Sequence, residues 1–164
     1  MFKPECQVFT ALMNYARLQC KPIDPNQFSY QHVSGINTPT WIIGHLVVCN
    51  DYTLGLLGLP NMCSDAWHSL FGPGSQPDQV GLDAPTKDEL MVALELSFDA
   101  VIGAIHFATP ELVLEPHPIE SLRENFKTKG DLLCALMTSH VGMHLGQLSV
   151  WRKLAHYPSV NWPT

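Results

Sequence analysis

His140 and His144 stand four residues apart in the stretch Thr138-Ser139-His140-Val141-Gly142-Met143-His144-Leu145-Gly146-Gln147-Leu148. On an α-helix that spacing puts two imidazoles one turn apart on the same face, where they can grip one metal ion. Leu133, Leu136, Met137, Leu148 and Trp151 recur at helical spacing through the same region, and both histidines and Gln147 fall within that apolar stripe. Such a stripe faces a core, and a polar group turned inward needs a partner. A bound metal supplies one; hydrogen bonds to carbonyls or carboxylates are the alternative. A catalytic mononuclear site usually has three protein ligands and an open position, so a third ligand must come from another element. His45 is the foremost candidate because it too lies mid-helix on an apolar line, one turn after Trp41 and one turn before Cys49. His106 competes from the end of a helix, whereas His32, His68, His117 and His156 fall in loops or at a helix end and are expected to be solvated.

The pattern His-Val-Gly-Met-His is not His-Glu-x-x-His, so the general base of a zincin peptidase is missing. Three neutral imidazoles on Zn²⁺ would leave an open site that lowers the pKa of bound water or holds a thiolate, and Ni²⁺ or Fe²⁺ also accept imidazoles. Gln147, one turn beyond His144, is placed to orient a ligand histidine or a bound water, or else to bond a helix neighbour. Asp51, Glu95 and Asp99 lie on helices and are available as bases, although carboxylates in such positions are usually only solvated.

The elements that must position these groups read as four long helices. The first starts at Pro4 and Glu5, shows Phe9, Leu12, Met13, Ala16 and Cys20 on one face, and stops before Pro22 and Pro25. Thr38 caps the second, with Pro39 at its first position, and the segment from Trp41 to about Leu57 is apolar nearly all round, so its outer face is expected to meet another subunit. From Gly58 to Pro85 no period persists, and the stretch reads as a long connection pinned by Trp67, His68 and Phe71; if it crosses the molecule, the second and third helices run parallel. Thr86 with Glu89 opens the third helix, whose inner face carries Leu90, Met91, Leu94, Phe98, Val101, Ile102 and Ile105. An irregular connection with at most a short helix around Ile119 to Asn125 follows. Thr128 with Asp131 opens the fourth helix, which runs past the histidine pair to about His156. Gly142 and Gly146 beside the histidines are expected to admit a neighbouring helix closely.

With no convincing strand, the fold class is all-α, a four-helix bundle with a long connection between helices two and three, in one domain over residues 1–164. The net charge of -6 and a charged content of only 15% argue against nucleic acid as a partner. No apolar run is long enough to span a membrane, and no signal peptide opens the chain, so a cytoplasmic location is expected. Cys6, Cys20, Cys49, Cys63 and Cys134 form no CxxC pair and are odd in number, which reads as reduced thiols; all but Cys63 fall in helical segments, where such a thiol is a small buried hydrophobe.

Trp41-Ile42-Ile43-Gly44-His45-Leu46 together with His140 through Leu148 resembles the DinB/YfiT-like superfamily, in which one helix carries a Trp-x-x-Gly-His-Leu-like motif and the last long helix carries His-x-x-x-His followed by Gly-Gln. The resemblance implies a four-helix bundle holding a divalent metal on His45, His140 and His144, with Zn²⁺ foremost and Ni²⁺ or Fe²⁺ as further options. It also implies homodimers and a small-molecule substrate. Characterised relatives include thiol-dependent S-transferases and a thiol-dependent isomerase, so the partner implied here includes a low-molecular-weight thiol. Three classes follow: a metal-dependent enzyme activating water or a small thiol, a non-catalytic module fixed by a metal, and a metal-free bundle with hydrogen-bonded histidines.

Overall fold

A computed structural model describes residues 1–80 and 84–162. Residues 81–83, within the expected connection from Gly58 to Pro85, lie outside the described residues. Every regular element among the described residues is helical. Helix α1 spans Lys3–Cys20 with Pro4 in its first turn, and buries Phe9, Leu12, Met13 and Ala16. Helix α2 spans Pro39–Leu56, and the Thr38 hydroxyl accepts the Trp41 backbone N–H at 3.2 Å. Helix α4 spans Lys87–Ile105 and opens on the expected capping box of Thr86 and Glu89. The last long helix opens on a second capping box, Thr128 with Asp131. Each such cap satisfies orphan backbone donors and stabilises its helix by about 0.5–2 kcal/mol.

The fourth helix is not continuous in its winding. It comprises α6 (Lys129–Ala135), one π-helical turn (Leu136–His140) and α7 (Val141–Leu154). A π turn disturbs the regular i→i−4 ladder. Here the hydroxyls of Thr138 and Ser139 donate to the carbonyls of Cys134 and Ala135, at 2.6 and 3.3 Å. The turn ends on His140, the first histidine of the pair.

Two short helices interrupt segments expected to be irregular. Helix α3 spans Asp65–Phe71 inside the long connection, and α5 spans Pro110–Leu114, capped by the Thr109 hydroxyl. At seven and five residues they are too short to display the periodicity that marks a helix in sequence. The connection does leave α2 and α4 parallel. Asn50 donates to the Ser97 hydroxyl at 3.0 Å midway along both helices. At their starts, Lys87 lies over the Phe28 ring, and the Phe28 carbonyl accepts from Thr40.

Sixteen of the 18 residues of α2 are buried. It packs against α3, α4, α6 and α7, so its apolar circumference is covered within one chain and supplies no argument for a partner subunit. Gly142 and Gly146 also differ from expectation. A Cβ on Gly142 would meet only Leu12, at an ordinary 3.8 Å, and one on Gly146 would meet nothing within 4 Å. Close approach demands glycine instead at Gly44, where a Cβ would fall 2.5 Å from the Phe71 ring, and at Gly72, where one would meet the His68 carbonyl oxygen. Among the described residues, no helix is long and apolar enough to cross a membrane.

Candidate metal centre

The three expected residues converge. His45 projects from α2, His140 ends the π turn and His144 lies one turn into α7. His140 Nε2 is 3.4 Å from His45 Nε2 and 3.2 Å from His144 Nε2, and the ring centroids of His45 and His144 are 4.6 Å apart. His106, the competing third ligand, is exposed at the end of α4, where it lines a separate pocket with Phe2 and Cys6.

The outward nitrogens decide which way the lone pairs face. His45 Nδ1–H donates to the Phe71 carbonyl at 2.6 Å, at the end of α3. His144 Nδ1–H donates to Gln147 Oε1 at 3.0 Å, and that oxygen also accepts from Asn37 Nδ2 at 2.9 Å, which fixes the amide orientation. Both rings are thereby held as the tautomer that turns an Nε2 lone pair towards His140. A single N–H on His140 Nε2 can serve only one of them well, and His140 Nδ1 is buried with no hydrogen-bond partner among the described residues. A buried polar atom left in this state costs about 1–3 kcal/mol. A divalent cation would satisfy the three inward Nε2 lone pairs together, so the donor set fits a metal, with Phe71 and Gln147 supplying outer hydrogen bonds to His45 and His144 while His140 Nδ1 has none.

The sequence model of the DinB superfamily matches residues 10–148. The chain belongs to the DinB superfamily. That span takes in both histidine-bearing stretches, and it excludes neither α2 nor the π turn. No curated protein matches the sequence.

Electrostatics keep the imidazoles of this DinB-superfamily chain neutral. Burial lowers the pKa of His45 against the opposing pull of its bond to Phe71. Burial, reinforced by His45, takes His140 down to about 4. His144 falls to about 3 through burial and the two neighbouring rings. Neutral imidazole is the form that binds metal. The Trp41 indole stacks on His45 with centroids 4.6 Å apart and planes 9° from parallel, which restricts the ring further.

Cys49, read from sequence as a plain buried hydrophobe, belongs to this cluster. Its Sγ lies 3.5 Å from His45 Nε2, and His45, Cys49 and His140 offer ligand atoms all within 4.8 Å of one another. Its spacing of four from His45 on one helix was the signal available. Burial pushes the Cys49 thiol up to about 12, so without a cation it stays protonated and is a poorer donor than the three rings.

The other polar groups serve the scaffold. Asp51 is buried rather than solvated: its Oδ1 accepts the N–H groups of Met62 and Cys63, and its Oδ2 pairs with His68 Nε2 at 2.7 Å. The pair ties α3 to α2. Cys63 stands close enough to make Asp51, Cys63 and His68 a second group with mixed ligand atoms. Glu95 pairs with Arg17 on α1, and Asp99 is exposed. His117 is wholly buried, not solvated: its Nε2–H donates to the Phe126 carbonyl at 2.6 Å and its Nδ1 accepts from Ile119 N–H at 3.2 Å. This ring closes the 117–126 loop, which walls the histidine pocket with Ile119, Leu122 and Phe126. His32 is half-buried between Tyr30 and Trp151, and His156 alone of the four is exposed as expected.

Gly44→Ala probes the support behind His45. The new Cβ would collide with the fully buried Phe71 ring, whose backbone carbonyl holds the His45 tautomer. Overpacking of this kind costs about 1–3 kcal/mol. Urea unfolding should report that loss, with weaker metal retention in the same variant.

Proposed function

We propose that this DinB-superfamily chain is a metal-dependent enzyme in which His45, His140 and His144 hold one divalent cation, Zn²⁺ foremost and Ni²⁺ or Fe²⁺ next. The observation that supports it is the pair of fixed tautomers turning two lone pairs towards a third ring at 3.2 and 3.4 Å. The same rings line an open pocket of about 980 Å³, so a reactant can reach them. The cation would contribute Lewis acidity, activating water or a small thiol for hydrolysis or S-transfer. The chain's own residues bind and orient: Phe71 and Gln147 hold two rings, Trp41 stacks on one, and Ile119, Leu122 and Phe126 of the 117–126 loop wall the pocket. A cytoplasmic setting belongs to this reading, in keeping with five free cysteines.

Cobalt substitution tests it. The Co²⁺ protein should show an absorption spectrum that shifts when 2-mercaptoethanol or azide is added, because an open coordination position takes an outside ligand. A second reading, a closed metal brace without chemistry, is favoured by Cys49 Sγ at 3.5 Å from His45 Nε2. It predicts a thiolate charge-transfer band that Cys49→Ser removes, and a spectrum indifferent to added ligands. That pair of results would overturn the enzyme reading.

Acid provides a further check on the metal-free protein. The folded pKa values of His45, His140 and His144 lie below the ordinary 6.5. The unfolded chain therefore binds more protons between 6.5 and those lowered values, and stability falls as pH drops through that window. Each histidine contributes a slope of up to about 1.4 kcal/mol per pH unit. Thermal melts in chelator should show a declining Tm from pH 6.5 towards 4 that is shallower in His140→Ala.

A further inference from the structure

The pocket above the histidines contains no Lys, Arg, Asp or Glu among its described lining residues. Its walls are apolar side chains from three places: Ile119, Leu122 and Phe126 on the connecting loop, Leu132 and Leu136 on the fourth helix, and Trp41 on α2. Much of the polar lining is already engaged inside the protein. Ser75 Oγ accepts from Trp41 Nε1 and donates to the Gly72 carbonyl, at 3.0 and 2.8 Å. Ser139 donates to the Ala135 carbonyl and the Asn37 amide to Gln147.

A charged substituent lying against these walls, away from the cation that the histidines would hold, would give up water and find no opposite charge on any described side chain. An apolar one would gain from every wall it covers, by about 25 cal/mol per Å² of apolar surface removed from water. We infer that the pocket selects an uncharged, largely apolar small molecule, presented to the histidines by its one polar reacting group, and disfavours ligands whose body carries carboxylate, phosphate or ammonium groups. A carboxylate-bearing thiol is therefore a poor co-substrate here, and the nucleophile is water or an uncharged thiol. The inference rests on the enzyme reading for taking this pocket as the substrate site.

The test uses three probes of one shape, 2-naphthylmethanol, 2-naphthoate and 2-naphthylmethylammonium, titrated calorimetrically into chelator-treated protein so that no metal can capture the carboxylate. The alcohol should bind at least tenfold tighter than either ion, about 1.4 kcal/mol. Phe126→Ala should weaken the alcohol at least fivefold. Met143→Lys, at a pocket residue that is 53% exposed and safe for folding, should bring the naphthoate about threefold closer to the alcohol. An ion binding within threefold of the alcohol, or alcohol binding that neither substitution alters, would overturn the inference. Because the measurements need no metal, they stand if metal uptake fails; loss of the preference with metal uptake intact sinks the substrate class alone.

Discussion

Replacing His144 by alanine should take bound metal from about one ion per chain to essentially none, as metal analysis after chelator-free purification will read. A three-imidazole site reduced to two loses both a bond and the geometry that holds the ion, and metal affinity depends steeply on ligand number. The same result is expected for His140→Ala, whose Nε2 stands between the other two at 3.4 and 3.2 Å. Gln147→Ala is the graded companion: it leaves three ligands but frees the His144 tautomer, which should weaken binding about 10–100-fold. Wild-type metal content in His144→Ala would remove this ring from the ligand set and throw the weight onto His45, Cys49 and His140.

The second large effect is expected away from the metal. Asp51→Ala should cost about 3–5 kcal/mol of stability, because the 1% exposed residue accepts two backbone N–H groups and pairs with His68 at 2.7 Å. Removing it leaves both N–H groups and His68 without the acceptor they share. His68→Ala should cost less, since the two N–H groups keep their acceptor. Urea titration of both variants checks the order. The loss should reach the histidines as well: Asp51 anchors α3 through His68, and α3 ends at Phe71, whose carbonyl sets the His45 ring. Asp51→Ala should therefore release metal at lower chelator concentration than the parent, although it contributes no ligand to that site.

The residues expected to come together and the residues that hold them there differ in how they are encoded. A spacing of four on one helix is a local fact, so His140 and His144 were identifiable as a pair before any fold was known. The capping boxes at Thr86 and Thr128 and the Thr38 cap are equally local, because each links a side chain to a backbone N–H three residues on. The long apolar periods of α1 and α4 needed only the 3.6-residue repeat.

Its mid-helix place on an apolar line favoured His45 over His106 in sequence, but only the packing of α2 against α7 brought its ring to the pair and left His106 exposed beyond α4. Tertiary structure also decided that Asp51 and His117 are buried braces, because burial of a single polar residue depends on partners far along the chain. Gly44 became indispensable only once the short helix α3, too brief to declare itself, laid Phe71 against it. The π turn that ends on His140 likewise left no periodic signature. Local hydrogen bonds and helical spacing are written within a few residues, whereas which lone pairs meet, and which charges stay out of the pocket, depend on contacts between elements that no short window contains.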